Sequence, residues 1–280
     1  PDAMSAAHAP HRYRGPMTEP NRPDDPYSRV HYRRLIAWER RIAREAPFLR
    51  RLLDAAPDRS TLDLGCGTGE HTAFFAGEGA RAVGVDRSDA MLEAAREHEA
   101  AGRGRFVAGD LLDLGAALAG EPPFGLAVCL GNVLPHLRED DEVARFVAGV
   151  HAALAPGGAL LVQILNYEGL LASGTRHLPV NVRPGDDERS EIVFLRLLRD
   201  AGGGRVLFFP ATLELRPDDE DEPLRVVQAR RVELRAWTRA TLGPLLERAG
   251  LEPEWHGDMQ GGAFDPETSP DLVVIAHRGR

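Results

Sequence analysis

Thr61-Leu62-Asp63-Leu64-Gly65-Cys66-Gly67-Thr68-Gly69-Glu70-His71-Thr72-Ala73-Phe74-Phe75 reads as a short apolar strand that passes through a glycine turn into a helix. Glycine permits positive φ and lets the backbone approach a ligand closely. The helix that follows offers free N–H groups to negative groups. A dinucleotide fingerprint requires G-x-G-x-x-G, but position 70 is Glu, so a pyrophosphate has no obvious place beside it. The pattern present is G-x-G-x-G, with an acid, Asp63, two residues before the first glycine.

Outward from this turn the chain alternates strand and helix. Strands are predicted over 61–64, 81–86, 105–108, 126–130 and 159–165. Helices are predicted over 69–76, from the Ser88 cap to about residue 100, and over 139–154. The last carries Val143, Phe146, Val147, Val150 and Leu154 on one stripe and stops at Pro156-Gly157-Gly158. Such β-α repetition implies an α/β fold with a doubly wound parallel sheet and ligand sites at the carboxyl ends of its strands. Upstream, a helix is predicted over 28–46, with Leu35, Trp38 and Ile42 near one face, and Pro47 suits the first turn of a second short helix. Downstream the rhythm changes. Strands over 191–199, 206–215 and 224–235, separated by a glycine run and an acidic loop, read as an antiparallel insertion covering the active-site edge. A helix over 237–249, a loop around 255–262 and a last strand over 272–276 close the chain; Trp255 and Met259 read as core.

The chain has 280 residues, 43% of them hydrophobic, enough for one large domain with an insertion. No apolar run is long enough to span a bilayer, and the N-terminus lacks the apolar stretch of a signal peptide. Two cysteines, Cys66 and Cys129, do not make a disulfide framework, and a cytoplasmic location is expected. All 34 basic residues are arginine, which removes lysine Schiff-base and lysine general-base chemistry. The net charge of −9 argues against a nucleic-acid partner. An arginine-rich stretch over 29–51 is a local exception that reads as a solvated helix face interleaved with Glu39 and Glu45. No histidine or cysteine spacing matches a metal site, so no metal is predicted.

The heptapeptide Asp63-Leu64-Gly65-Cys66-Gly67-Thr68-Gly69 resembles the first motif of class I S-adenosylmethionine-dependent methyltransferases. The resemblance implies a mostly parallel seven-stranded Rossmann-like sheet, with S-adenosylmethionine as cofactor and Asp63, Gly65, Cys66, Gly67 and Gly69 lining its site. Asp86, followed by Arg87, ends the second strand, where a carboxylate can accept both ribose hydroxyl protons. Met91 either fills the core or packs on adenine. Asp110, with Leu111 beside the ring, takes the adenine amino group in that family, and a simple cap is the competing role. Leu130-Gly131-Asn132-Val133-Leu134-Pro135-His136-Leu137 resembles the G-N-S-x-x-H-L stretch of glycine and sarcosine N-methyltransferases, with Val133 in place of a small polar residue. Leu130, Gly131 and Asn132 would face the methionine part of the cofactor. Trp38-Glu39-Arg40-Arg41 resembles a W-x-x-R of the same group, whose arginine pairs with the methionine carboxylate, and the spacing selects Arg41. Asn166-Tyr167-Glu168 resembles their N-Y-D, with Glu for Asp, and makes Asn166 and Tyr167 substrate-binding candidates.

These readings divide the chain into a disordered segment 1–26, N-terminal helices 27–57 closing over the cofactor, an α/β domain over 58–165 and 237–280, and an antiparallel substrate lid over 166–236. The expected reaction is direct in-line transfer of a methyl group to a small molecule, in which the protein mainly aligns the nucleophile. An amine nitrogen is the favoured acceptor, with a hydroxyl or carboxyl oxygen as the alternative. His136 is a candidate proton acceptor or a packed histidine, and Tyr167 a candidate for the reacting centre or for core. Arg176 and Arg196 are candidates to hold a substrate carboxylate. A nicotinamide oxidoreductase is disfavoured by Glu70, and a non-catalytic binding module by the intact motifs. The expected partners are a small-molecule substrate with no nucleic acid or membrane, the chain acting as a monomer or homodimer.

Overall fold

The computed structural model describes residues 32–185, 187 and 189–279. The expected disordered segment 1–26 and the start of the first expected helix lie outside the described residues. The N-terminal part holds α1 (Tyr32–Leu35) and α2 (Trp38–Ala55). No helix boundary falls at Pro47: α2 runs through it. An interior proline costs about 3 kcal/mol. Here it is offset by burial of Phe48, Leu49 and Leu53 just beyond it, each contributing about 1.5–3 kcal/mol.

The sheet then follows the predicted rhythm. The elements are β1 (Ser60–Leu64), α3 (Glu70–Gly77), β2 (Arg81–Asp86), α4 (Asp89–Ala100), β3 (Arg105–Ala108), α5 (Leu114–Ala117), β4 (Phe124–Cys129), α6 (Asp140–Ala153) and β5 (Leu154–Leu165). After α7 (Tyr167–Ala172) come five further strands, β6 (Asn181–Pro184), β7 (Glu191–Gly202), β8 (Arg205–Leu215), β9 (Leu224–Ala229) and β10 (Val232–Arg235). The chain returns through α8 (Arg239–Arg248), β11 (Leu251–His256) and β12 (Asp271–Arg278).

Seven strands form the main sheet in the order β11-β12-β5-β4-β1-β2-β3, and β12 runs antiparallel to both its neighbours. Every residue of β1 and β4 is buried, as parallel strands covered on both faces require. Side chains alternate between two cores. Ala127, Cys129, Leu160, Val162, Leu272 and Val274 face the side of α5, α6 and α8. Leu126, Val128, Leu161, Val273 and Ile275 face α2 and α3. The loop expected around Trp255 is partly a strand, because β11 pairs with β12 from Leu251 opposite Arg278 to His256 opposite Val273. It is an edge strand, the position that tolerates Pro253.

The insertion forms a second sheet in the order β10-β8-β7-β6, with β9 paired to β8. The single strand expected over 224–235 is broken: β9 pairs with the far half of β8 and β10 with its near half. Strand β6 went unpredicted. It lies beside α1, where the Asn181 amide donates to the Leu35 carbonyl (3.4 Å). At the other end, buried Trp237 donates its indole N–H to the Leu137 carbonyl (2.9 Å), tying the insertion to the turn after β4. The second sheet therefore stands over the carboxyl edge of the first. Among the described residues no helix is long and apolar enough to cross a membrane.

Candidate active site

The glycine loop divides its labour. Gly65, Gly67 and Gly69 all have positive φ, at 72°, 55° and 87°. A Cβ on Gly65 would lie 2.7 Å from a Val133 methyl, and one on Gly69 would lie 2.6 Å from the Phe106 ring. Those two glycines are required by the protein's own packing. A Cβ on Gly67 would meet nothing nearer than the Met91 sulfur at 3.9 Å, so this residue presents open backbone. Its N–H donates to Asp86 Oδ2 (2.8 Å), and Asp86 Oδ1 accepts from Ser88 N–H (2.9 Å). Burial pushes the Asp86 carboxyl above its ordinary range, and the backbone N–H groups of Ser88 and Gly67 oppose that rise. Each carboxylate oxygen keeps a lone pair for a further donor.

Several loop candidates turn inward. Asp63 is buried and accepts the Thr72 hydroxyl (2.7 Å), so it braces the loop from beneath. The Cys66 sulfur packs toward Gly84, where a Cβ would lie 2.8 Å from it, and burial pushes its thiol up. Ser88 caps α4 through Met91 N–H (3.1 Å), and Met91 is buried behind Gly67. Asp110 is exposed and accepts from Leu112 N–H (2.9 Å), so it caps its own turn, with Leu111 half-buried beside it. Glu70 takes the Arg33 guanidinium (2.6 Å) and the Thr68 hydroxyl (2.5 Å). Arg33 also donates to the Thr68 carbonyl (3.1 Å), pinning α1 to the glycine loop.

On α2, Arg41 stacks over Trp38 at 5.1 Å and pairs with Glu45 (3.0 Å). Glu45 is buried and also meets His71 Nε2 (2.9 Å). Burial alone would raise its carboxyl; His71 and Arg41 outweigh that and hold it below the ordinary range. Arg41 reaches Gly131, whose Cβ would lie 3.7 Å from its guanidinium. Trp38 Nε1 is a buried donor with no hydrogen-bond partner. An unmatched buried donor beside a guanidinium suits an incoming carboxylate.

At the end of β4, Gly131 N–H donates to the Gln163 side-chain oxygen (2.8 Å), and the Gln163 amide donates to Asp271 Oδ1 (2.7 Å). Leu130 is buried beneath them. Asn132 adopts φ 67°, the one positive φ outside glycine among the described residues. Its side chain accepts from Leu165 N–H (3.1 Å) and bonds the Tyr167 hydroxyl (3.0 Å). Tyr167 is 1% exposed and does not line the cavity, and burial pushes its hydroxyl up. The expected placement of Tyr167 at the reacting centre is therefore corrected: it holds Asn132 from behind. Asn166 is corrected too. Its side chain caps α7 at Gly169 N–H (3.2 Å) and donates to the Pro266 and Ser269 carbonyls (2.9 and 3.0 Å), leaving it no face for substrate. Of the arginines expected for a substrate carboxylate, Arg176 bonds the Leu198 carbonyl (3.0 Å), while Arg196 lines the cavity.

That cavity, of about 600 Å³, lies between the two sheets and α2. Arg41, Gly131, Asn132, Gln163 and Asp271 line one end, and Arg183, Phe194, Arg196, Thr212 and Arg230 of the insertion line the other. His136 and Arg87 stand between them. The His136 ring is exposed and lines the cavity. Desolvation by the surrounding protein, with Arg87 second, pushes its pKa down to about 4, so it is neutral near pH 7.

Residues 61–158 match the family model described as a methyltransferase domain. These residues form a methyltransferase domain. The chain is 34% identical over 145 residues to a glycine/sarcosine N-methyltransferase of Parasynechococcus marenigrum, covering 51% of this chain and 50% of that one. It is 32% identical over 141 residues to a dTDP-4-amino-2,3,4,6-tetradeoxy-D-glucose N,N-dimethyltransferase of Saccharopolyspora spinosa, covering 50% and 53%. The chain thus spans about half the length of these curated relatives. The fold resembles that of the sugar N-methyltransferase KedS8 from Streptoalloteichus, with TM-score 0.71 and 23% identity over 96% of this chain and 100% of that one.

The residues of this methyltransferase domain suit the cofactor. Gly67 leaves backbone open, Asp86 keeps lone pairs at the tip of β2, and Trp38 and Arg41 offer donors beside Gly131. Several participants at the site were not read from the sequence, among them Arg33, Gln163, Asp271 and the insertion's Arg183 and Arg230. The glutamine had a signal, as a polar residue inside the apolar run Leu160-Leu161-Val162-Gln163-Ile164-Leu165. Asp271 had one only through topology: an antiparallel last strand starts where its neighbour ends.

Proposed function

We propose that this chain transfers a methyl group from S-adenosylmethionine to an amine nitrogen of a small molecule that also carries an anionic group. The observation that carries the reading is the shared cavity, with the Arg41 guanidinium at one end and insertion arginines at the other. When bound, S-adenosylmethionine supplies a methyl group on a sulfonium, open to direct displacement. Arg41 and Trp38 Nε1 hold the cofactor's carboxylate, and Asp86 and Gly67 hold its ribose side. Asn132, fixed by Tyr167 and Leu165, sets the wall beside the reacting atoms.

An acceptor amine must be neutral to attack. With a pKa of about 4, His136 is a weak base, so an amine that arrives as an ammonium ion gives its proton to water before methyl transfer. Neutral His136 then accepts a hydrogen bond from an acceptor N–H and orients the nitrogen. Relatives named for N-methylation support nitrogen over oxygen. Among the described residues neither Arg87 nor Arg183 has a carboxylate at ion-pair distance, and both face the cavity. Such guanidinium forks fit carboxylate or phosphate oxygens. The volume falls within the range of about 300–1,000 Å³ for small-molecule sites, which admits an acceptor of nucleotide-sugar size. Strands β6–β10 act as the lid over this acceptor. The free thiols of Cys66 and Cys129 suit a reducing cytoplasm, where the chain works as a monomer or homodimer.

The test is a methyl-transfer screen read by mass spectrometry. The panel contains glycine, sarcosine, ethanolamine, 2-aminoethyl phosphate and a thymidine-diphosphate-linked 4-amino sugar, each beside its hydroxyl counterpart. The reading expects methylation of anionic amines. Turnover of hydroxyls alone, or of ethanolamine in preference to its phosphate, would contradict it.

A further inference from the structure

The cavity wall holds two acids among its arginines, and their situations differ. Glu45 is committed to Arg41 and His71. Among the described residues the Asp271 carboxylate has no guanidinium within ion-pair distance, and its one hydrogen bond is from the Gln163 amide at 2.7 Å. It is the first residue of β12 and sits opposite Leu165, the last residue of β5, at the carboxyl edge where ligands bind. Val273 and Ile275 share its face of β12, and that face looks toward α2 and the cavity.

The sheet order says which ligand it meets. From the glycine loop at the end of β1, the strands run β1-β4-β5-β12. Strands are spaced about 4.8 Å apart, so Asp271 lies roughly 14 Å from the cofactor loop and roughly 10 Å from the end of β4. The cofactor's methionine arm is taken up by Arg41 at Gly131. The ground beyond it, over β5 and β12, is left for the acceptor.

We infer that Asp271 is the carboxylate that receives the acceptor's amine, held in place by Gln163. The inference rests on the amine reading above. As the nitrogen lone pair forms the new C–N bond, the C–S bond breaks and its electron pair stays on sulfur as a neutral thioether. Positive charge passes from sulfur to nitrogen, and the nitrogen later gives its extra proton to water. A fixed anion beside that nitrogen stabilises the charge as it develops. An amine arrives as an ammonium ion near neutral pH whereas a hydroxyl arrives neutral, so Asp271 also selects nitrogen at the binding step. Gln163 links the two ligands, touching Gly131 through its oxygen and Asp271 through its amide.

The test uses the full chain saturated with S-adenosylhomocysteine and the panel amine that is turned over fastest. Calorimetry reads the affinity of that amine and of its hydroxyl counterpart. Asp271→Asn should weaken the amine about tenfold or more, leave the hydroxyl counterpart and S-adenosylhomocysteine unchanged, and lower kcat as well as raise KM. Asp271→Glu should restore most of the amine affinity. Should Asp271→Asn not fold, Asp271→Ser carries the same readouts. Unaltered amine affinity would overturn the inference while leaving amine methylation standing. Weakened S-adenosylhomocysteine binding would overturn it by giving Asp271 to the cofactor. A wild-type chain that methylates no amine would overturn both.

Discussion

The glycine loop at 65–69 and the arginine-bearing cavity wall of the insertion are specified in different ways. In the loop, each residue's role follows from neighbours close in sequence or on the adjoining strand. Gly69 makes room for Phe106, Gly65 for Val133, and Asp86 receives Gly67. On the insertion, Arg183 and Arg196 come from β6 and β7 and Arg230 from the connection between β9 and β10, and only the sheet pairing brings them to one wall. The first arrangement suits a ligand that does not change. The second can be altered one arginine at a time without disturbing the main sheet.

The contrast breaks most visibly at the glycines. Gly69→Ala places a Cβ 2.6 Å from the Phe106 ring at a φ of 87°, and should cost about 2–4 kcal/mol of stability by denaturant unfolding. Gly67→Ala meets open space, so only backbone strain of about 1–2 kcal/mol is expected, together with weakened cofactor binding. Equal stability losses for the two would contradict the division of labour. Next in size, Asp86→Ala should weaken S-adenosylhomocysteine by about 1.5–3 kcal/mol in calorimetry, the scale of a lost charged hydrogen bond. Across the cavity, Arg183→Ser should leave that affinity alone and cost an anionic acceptor about 1 kcal/mol, read as a raised KM. A loss of cofactor affinity there would merge the two ends.

The smallest effect is on pH dependence. The His136 pKa falls from 6.5 to about 4 on folding. Between those values the unfolded chain binds a proton that the native chain does not, so stability falls on acidification through that window and is unaffected above it. His136→Asn should flatten that part of the stability curve. An unchanged slope would mean that the ring is solvated like an ordinary surface histidine.

How much could be read in advance follows the same division. The parallel strands of the main sheet, the Ser88 cap and the glycine turn were legible because local pattern and tertiary role coincide. The W-x-x-R resemblance pointed to Arg41, which lines the cavity beside Trp38 and Gly131. Pro47 misled because burial of Phe48 and Leu49 overrides a local helix-breaking signal. Asn166 and Tyr167 misled differently. The residue types fit a site, but their polar atoms are consumed by Gly169, Pro266 and Asn132, contacts set by the return of the chain a hundred residues later or across the sheet. Asp271 stayed hidden because its place depends on the reversed direction of β12, which no local pattern encodes.

The most direct test is a calorimetric titration of S-adenosylhomocysteine into the full chain, with NADH as the parallel titrant. Saturable binding of one equivalent of the nucleoside, and no heat from NADH, is the predicted result. Absence of nucleoside binding at millimolar concentration, with NADH taken up instead, would contradict the account at its base.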